Sequence, residues 1–136
     1  MHIISRLNMK LNETFELLTK STDEGYANLR KLAEINMSTW EQLVAKQMAV
    51  MNVCFENTSK QAELLKESKR VDELVEKQTA LARELSEKLA ESNKEVMEVL
   101  NKTRDEYQEL AESSVEQAKS RLMEAAEVAK KAQTAA

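Results

Sequence analysis

The residues able to do chemistry are few and form no catalytic or metal-binding pattern. The chain has one histidine, His2, and one cysteine, Cys54. A zinc site needs about four ligands, commonly Cys and His, so these two residues cannot build one. Glu91 and Glu95 have the spacing of neighbours on one helix face, but no histidine accompanies them. Because no nucleophile lies next to a base, the sequence predicts no enzyme activity, no cofactor and no metal.

Composition excludes several other classes of function. A single glycine in 136 residues cannot supply a glycine-rich phosphate-binding loop. With a net charge of −4, the chain lacks the basic surface that nucleic-acid binding requires. The basic pairs Lys69-Arg70 and Lys130-Lys131 are too short to provide such a surface. The longest apolar run, Met48 to Met51, is far shorter than the roughly 18 residues of a membrane-spanning helix. We therefore predict a cytoplasmic protein that binds no nucleic acid and has no transmembrane segment.

The secondary structure predicted for this chain, and for any binding surface on it, is α-helical. The chain has no proline and one glycine, whereas a strand-rich fold needs a turn signal about every 8–12 residues. Glu–Lys pairs four residues apart, among them Glu84–Lys88, support helix formation on the solvent-facing side. The predicted fold class is all-α: long amphipathic helices that form a helical hairpin or a coiled-coil-like bundle, and that assemble into a homo-oligomer.

The sequence divides into a short helix, a long helical domain and a tail. A first helix is expected over residues 1–20, ended by a boundary around Ser21–Gly25 that contains the only glycine. The main domain is expected over residues 24–120. An Ala-rich C-terminal extension is expected over residues 121–136, and its last part, Ala125 to Ala136, has almost no large apolar group and is expected to fray.

Two helices are predicted within and beyond the main domain, over about 24–67 and 71–132. The charged window Lys66–Glu73 between them contains neither Gly nor Pro, so it could be a turn or an exposed stretch of one continuous helix. A hairpin is favoured because it would bury both apolar stripes within one chain. Ser68 or Asp72 would then be the N-cap of the following helix.

Apolar residues recur at helical spacing on both predicted helices, and we take them as one candidate surface for binding or oligomerisation. The face is widest between Trp40 and Phe55, but polar residues interrupt the stripes, so any packed interior would be thin. The candidate residues are Met37, Trp40, Val44, Met48, Met51, Phe55, Leu65, Leu74, Leu81, Leu85, Leu89, Val96 and Leu100.

Several blocks of sequence, in order, resemble the phasin family, the helical proteins that coat bacterial polyhydroxyalkanoate storage granules. The resemblance covers roughly residues 15–120. It is carried by Asn28-Leu-Arg-Lys-Leu-Ala-Glu-Ile-Asn36, Trp40-Glu-Gln-Leu43, Lys60-Gln-Ala-Glu-Leu-Leu65, Gln78-Thr-Ala-Leu-Ala-Arg-Glu-Leu85 and Asn101-Lys-Thr-Arg-Asp-Glu-Tyr107.

The resemblance implies a non-catalytic amphipathic protein that coats the hydrophobic polyester surface, stabilises granules and limits their coalescence. It also implies a bacterial cytoplasmic location at the granule surface, oligomers in solution, and a polymer synthase or regulator as candidate protein partners. The alternative from the residues alone is a helical coiled-coil adaptor whose stripe binds a partner protein without any granule.

Overall fold

Two long helices make up the part of the chain that the structure describes. The computed structural model describes residues 2–67 and 69–134. Helix α1 spans His2–Glu67 and helix α2 spans Val71–Thr134, and the two pack as a hairpin without any strand in the described residues. The all-α hairpin prediction is confirmed, and the alternative of one continuous helix through residues 66–73 is wrong.

Helix α2 begins directly after a short turn. The backbone N–H of Leu74 donates to the carbonyl of Arg70 at 3.1 Å, which places Arg70 at the N-cap position. Asp72 is therefore not the N-cap, as one alternative predicted. It lies in the first turn with Glu73, where negative charge favourably meets the positive end of the helix dipole. Ser68, the other candidate, lies outside the described residues.

The predicted boundary at residues 21–25 is absent, because α1 runs through it without interruption. Gly25 has no positive φ, and the Thr22 hydroxyl donates to the carbonyl of Leu18 at 2.9 Å, one turn earlier in the same helix. One glycine costs a helix about 1 kcal/mol, which is too little to end so long an element. The separate N-terminal helix over residues 1–20 is therefore wrong, whereas the division into domains stays a prediction.

The hairpin contains two compact units. Residues up to Asn36 and from Asp105 onward form one, here called the terminal unit, and Met37–Arg104 form the other, here called the turn unit. The buried apolar residues are Ile35 in the terminal unit and Leu81 and Val99 in the turn unit. The accessible surface is 11102 Å², whereas a compact monomer of this mass would expose roughly 7200 Å². Most apolar side chains are thus outside any core.

We expect Gly25→Ala to stabilise the protein. A Cβ built on Gly25 has nothing within 4 Å, so the methyl group fits without any rearrangement. The gain should be about 0.5–1 kcal/mol, because alanine loses less backbone freedom than glycine when a helix forms. Urea denaturation followed by circular dichroism measures it. A lower midpoint for Gly25→Ala than for the wild type would contradict an unbroken helix at this position.

Candidate functional site

Polar side chains hold the two helices of the turn unit together. The hydroxyl oxygens of Thr39 and Thr103 lie 2.6 Å apart, and the ammonium of Lys46 donates to a carboxylate oxygen of Glu95 at 3.0 Å. The amide of Asn57, which is only 9% exposed, donates to the backbone carbonyl of Leu81 at 3.3 Å. These contacts recur on one side of α1, here called the contact face.

A charged cluster extends this pairing towards the turn. The Lys60 ammonium donates to Glu84 at 3.0 Å, Lys88 lies 3.0 Å from the same carboxylate oxygen of Glu84, and Lys88 reaches Glu56 at 3.9 Å. The predicted Glu84–Lys88 pair is therefore present. The sequence suggested only that this pair supports its own helix. In the structure Glu84 also joins α2 to α1 through Lys60.

The cluster shifts the protonation equilibria of its members. Hydrogen bonds from Lys60 and Lys88 lower the pKa of Glu84 below its ordinary 4.5, since both stabilise the carboxylate. The hydrogen bond to Glu84 likewise raises the pKa of Lys60 above 10.5. Both groups are exposed to solvent, so salt screens these interactions.

The terminal unit is also joined by polar contacts. The Asn28 amide donates to Gln117 at 2.9 Å, and Nε of Arg121 lies 3.3 Å from a carboxylate oxygen of Glu24. An open groove of about 600 Å³ lies beside these groups, where small residues such as Gly25 and Ala118 leave space between the helices. Polar contacts hold this unit together too, alongside the half-buried Leu17 and the buried Ile35.

Six apolar residues of α1 in the turn unit point away from α2, whereas Leu43, Val50, Val53 and Leu64 are half-buried. At 100° per residue these six lie about 150° around the helix from the contact face. All six are exposed; Trp40 retains 70% and Phe55 73% of its accessible surface. We call this set the outward row: Met37, Trp40, Val44, Met48, Met51 and Phe55.

The hairpin was expected to bury both apolar stripes, and for the outward row of α1 this is wrong. Threonine, lysine and asparagine at positions 39, 46 and 57 meet α2 instead, because each finds a hydrogen-bonding partner there. With those groups satisfied, packing does not require the outward row. Among the described residues of the turn unit, the row therefore has no partner on α2.

The remaining predicted site residues separate into three groups. Leu65, on α1, is exposed. On α2, Leu81 is buried and Leu74, Leu85 and Val96 are half-buried, so they contribute to the helix pairing. Leu89 and Leu100, also on α2, are 36% and 44% exposed. The thirteen candidates thus lie on more than one surface, and their role in binding stays a prediction.

The arrangement is suited to covering an apolar surface. A row of exposed Met, Trp, Val and Phe side chains on one helix can lie on such a surface while charged groups stay in water. In the described residues no helix is long and apolar enough to cross a membrane. Nor do those residues contain a group of three or more His, Cys, Asp or Glu that could hold a metal ion.

Comparison with known proteins identifies one family. A family profile described as "Phasin protein" matches residues 16–115, which is most of the chain. No curated protein matches the chain significantly, and no solved structure does.

We expect the contribution of Glu84 to stability to depend on pH in a defined window. Glu84→Gln should lower the urea midpoint most between about pH 5 and pH 10, where carboxylate and ammonium are both charged. The difference from wild type should shrink as pH falls through the lowered pKa of Glu84, below 4.5, and as pH rises through the raised pKa of Lys60, above 10.5.

The control for this experiment is Glu91→Gln, an exposed carboxylate two turns further along α2. It should show a smaller effect. High salt should reduce the effect of Glu84→Gln, because the cluster is exposed to solvent. A Glu84→Gln effect that grows below pH 4 would contradict a carboxylate stabilised by the two lysines.

Proposed function

The chain belongs to the phasin family of polyhydroxyalkanoate granule-associated proteins, and from this premise we propose that the outward row of α1 is its granule-binding surface. The family is structural and non-enzymatic. The protein then lies on the polyester in the bacterial cytoplasm, stabilises the granule and limits coalescence. The observation that carries the proposal is the exposure of a continuous apolar row which the hairpin does not use.

The expected affinity follows from the area that the row would remove from water. Full burial of Trp40, Val44, Met48, Met51 and Phe55 would contribute on the order of 10 kcal/mol at about 1.5–3 kcal/mol for each side chain. No self-contact of the turn unit needs to be given up, because these side chains are exposed already. Ordering of side chains and loss of free motion offset part of the gain.

The methionines of the row support binding to a surface without a fixed shape. Three of its six members are Met, an unbranched and polarizable side chain that fills irregular contacts. Polyester at a granule surface presents no regular array of pockets. A row of adaptable side chains therefore fits this surface better than a row of β-branched residues would.

The distribution of charge supports a role in keeping granules apart. Helix α2 has 15 acidic and 10 basic residues, whereas α1 has nine acidic and eight basic. Most of the negative charge thus lies on the helix that does not carry the row. A coat with this charge facing water makes granules repel each other.

Assembly and protein partners belong to the same proposal. A homo-oligomer in solution would cover the outward row of one chain with that of another and release it at the granule. A polymer synthase or a regulator remains a candidate partner from the family resemblance. The adaptor alternative predicts that the row needs a protein partner, and the experiment below separates the two.

We expect the double substitution Met48→Asp and Phe55→Asp to abolish binding to polyhydroxyalkanoate particles. Two carboxylates would have to lose their water against an apolar polymer without a partner, which is strongly unfavourable. Wild-type protein should sediment with particles in the absence of any other protein. The emission of Trp40 should shift to shorter wavelength on binding, because its indole ring leaves water.

The matched control is Ala45→Asp with Asn52→Asp. It adds the same two charges with the same seven-residue spacing, at exposed positions on another side of α1. Sedimentation, the Trp40 shift and helix content should all remain at wild-type levels. Circular dichroism and analytical ultracentrifugation should accompany each variant, so that unfolding or dissociation is detected. Undiminished particle binding by a folded Met48→Asp, Phe55→Asp variant would refute the proposed surface.

A further inference from the structure

The two faces of α1 in the turn unit do different things. Its contact face binds α2 through Thr39, Lys46 and Asn57, while the outward row lies about 150° away around the helix. A surface that meets the row therefore lies on the opposite side of α1 from α2. Contact with the surface and pairing with α2 do not compete for the same side chains.

We propose that the turn unit docks on an apolar polymer as a closed hairpin, with α1 on the surface and α2 held above it in water. This inference rests on the proposed function, since it concerns how the same row is used. It differs from a mechanism in which the hairpin opens and spreads both helices over the polymer.

The side of α2 that meets α1 disfavours opening. Leu81 and Val99 are buried there, beside the three half-buried apolar residues of α2 described above, but Glu84, Lys88 and Glu95 lie on the same side and reach across to α1. An opened α2 would bring these charged groups to the polymer together with the apolar ones. Three charged side chains would then lose their water without a partner, a cost that the closed hairpin does not incur.

Opening would also leave polar groups of α1 without partners. The Asn57 amide would lose the carbonyl of Leu81, and the hydroxyl of Thr39 would lose that of Thr103. These groups lie on the side of α1 away from the polymer, where water can replace the lost partners, so each lost bond has a modest net cost. The closed hairpin keeps every one of these bonds while the row is buried.

A disulfide across the hairpin tests the proposal. Thr103 donates its hydroxyl hydrogen to the carbonyl of Val99 at 2.9 Å, so the 2.6 Å contact is a hydrogen bond donated by Thr39. Two γ-atoms at this separation are near the bonded distance of two sulfurs, about 2.05 Å. The variant is Thr39→Cys with Thr103→Cys, in a Cys54→Ser background that removes the exposed native thiol.

The oxidised and reduced forms should bind polyester particles with the same affinity, within about twofold. A loss of tenfold or more on oxidation, restored by a reductant, would show that the hairpin must open and would overturn the proposal. If the two cysteines fail to crosslink, the thiol-accessibility measurement below decides the proposal. If the Cys54→Ser protein fails to bind particles, the proposed function fails instead.

Thiol accessibility on the particle gives an independent measurement. Met51 lies in the outward row of α1 and is 65% exposed, and Met97 on α2 is 51% exposed. Met51→Cys and Met97→Cys, each in the Cys54→Ser background, form a matched pair with one thiol on each helix. Alkylation by a water-soluble maleimide is compared with and without particles.

On particles, the thiol of Met51→Cys should react at least tenfold more slowly, and that of Met97→Cys should react at its rate in solution. Protection of both positions would place α2 on the polymer as well, which contradicts the closed hairpin. Protection of neither, in protein that sediments with particles, would contradict the outward row as the binding surface.

Discussion

The pairing of α1 with α2 through polar side chains is the interaction on which the other properties of this protein depend. Asn57 to Leu81, Thr39 to Thr103 and Lys60 to Glu84 satisfy polar groups that would otherwise need water. Because these groups occupy the contact face, the six apolar side chains of the outward row are left on the far side. If the outward row had formed the interface between the two helices, its side chains would not be available for binding to the granule.

The sequence was informative about the helices and less so about how they pair. The absence of proline, the helical spacing of apolar residues and the charged window at 66–73 were enough to predict two helices and a hairpin. Gly25 led to the wrong prediction of a helix boundary. A single glycine often marks such a boundary, but its free-energy cost within a long helix is small. The charge on α2 and the family resemblance were equally visible in the sequence.

The choice of faces could not be predicted in the same way. Hydrophobic periodicity identifies the apolar side of each helix and assumes that this side is buried. For α2 the assumption works in part, because Leu81 is buried. For the outward row of α1 it fails, since Thr39, Lys46 and Asn57 recur at spacings compatible with one face but matter only once their partners on α2 are known. That complementarity between two polar patterns 24 to 64 residues apart is a property of the folded pair.

The order of cross-helix contacts along the hairpin has a consequence for how the chain folds. Asn57 and Leu81 are 24 residues apart, whereas Thr39 and Thr103 are 64 apart. Closing the longer loop first would cost about 1 kcal/mol more in chain entropy. The kinetically favoured folding nucleus is therefore the end of the turn unit near Val71. Pairing of α1 with α2 then extends residue by residue away from that end. The part of α1 that carries Phe55 and Met51 lies nearer that end and would therefore be paired with α2 earlier than the part that carries Trp40. A nascent chain would thus acquire its outward row progressively.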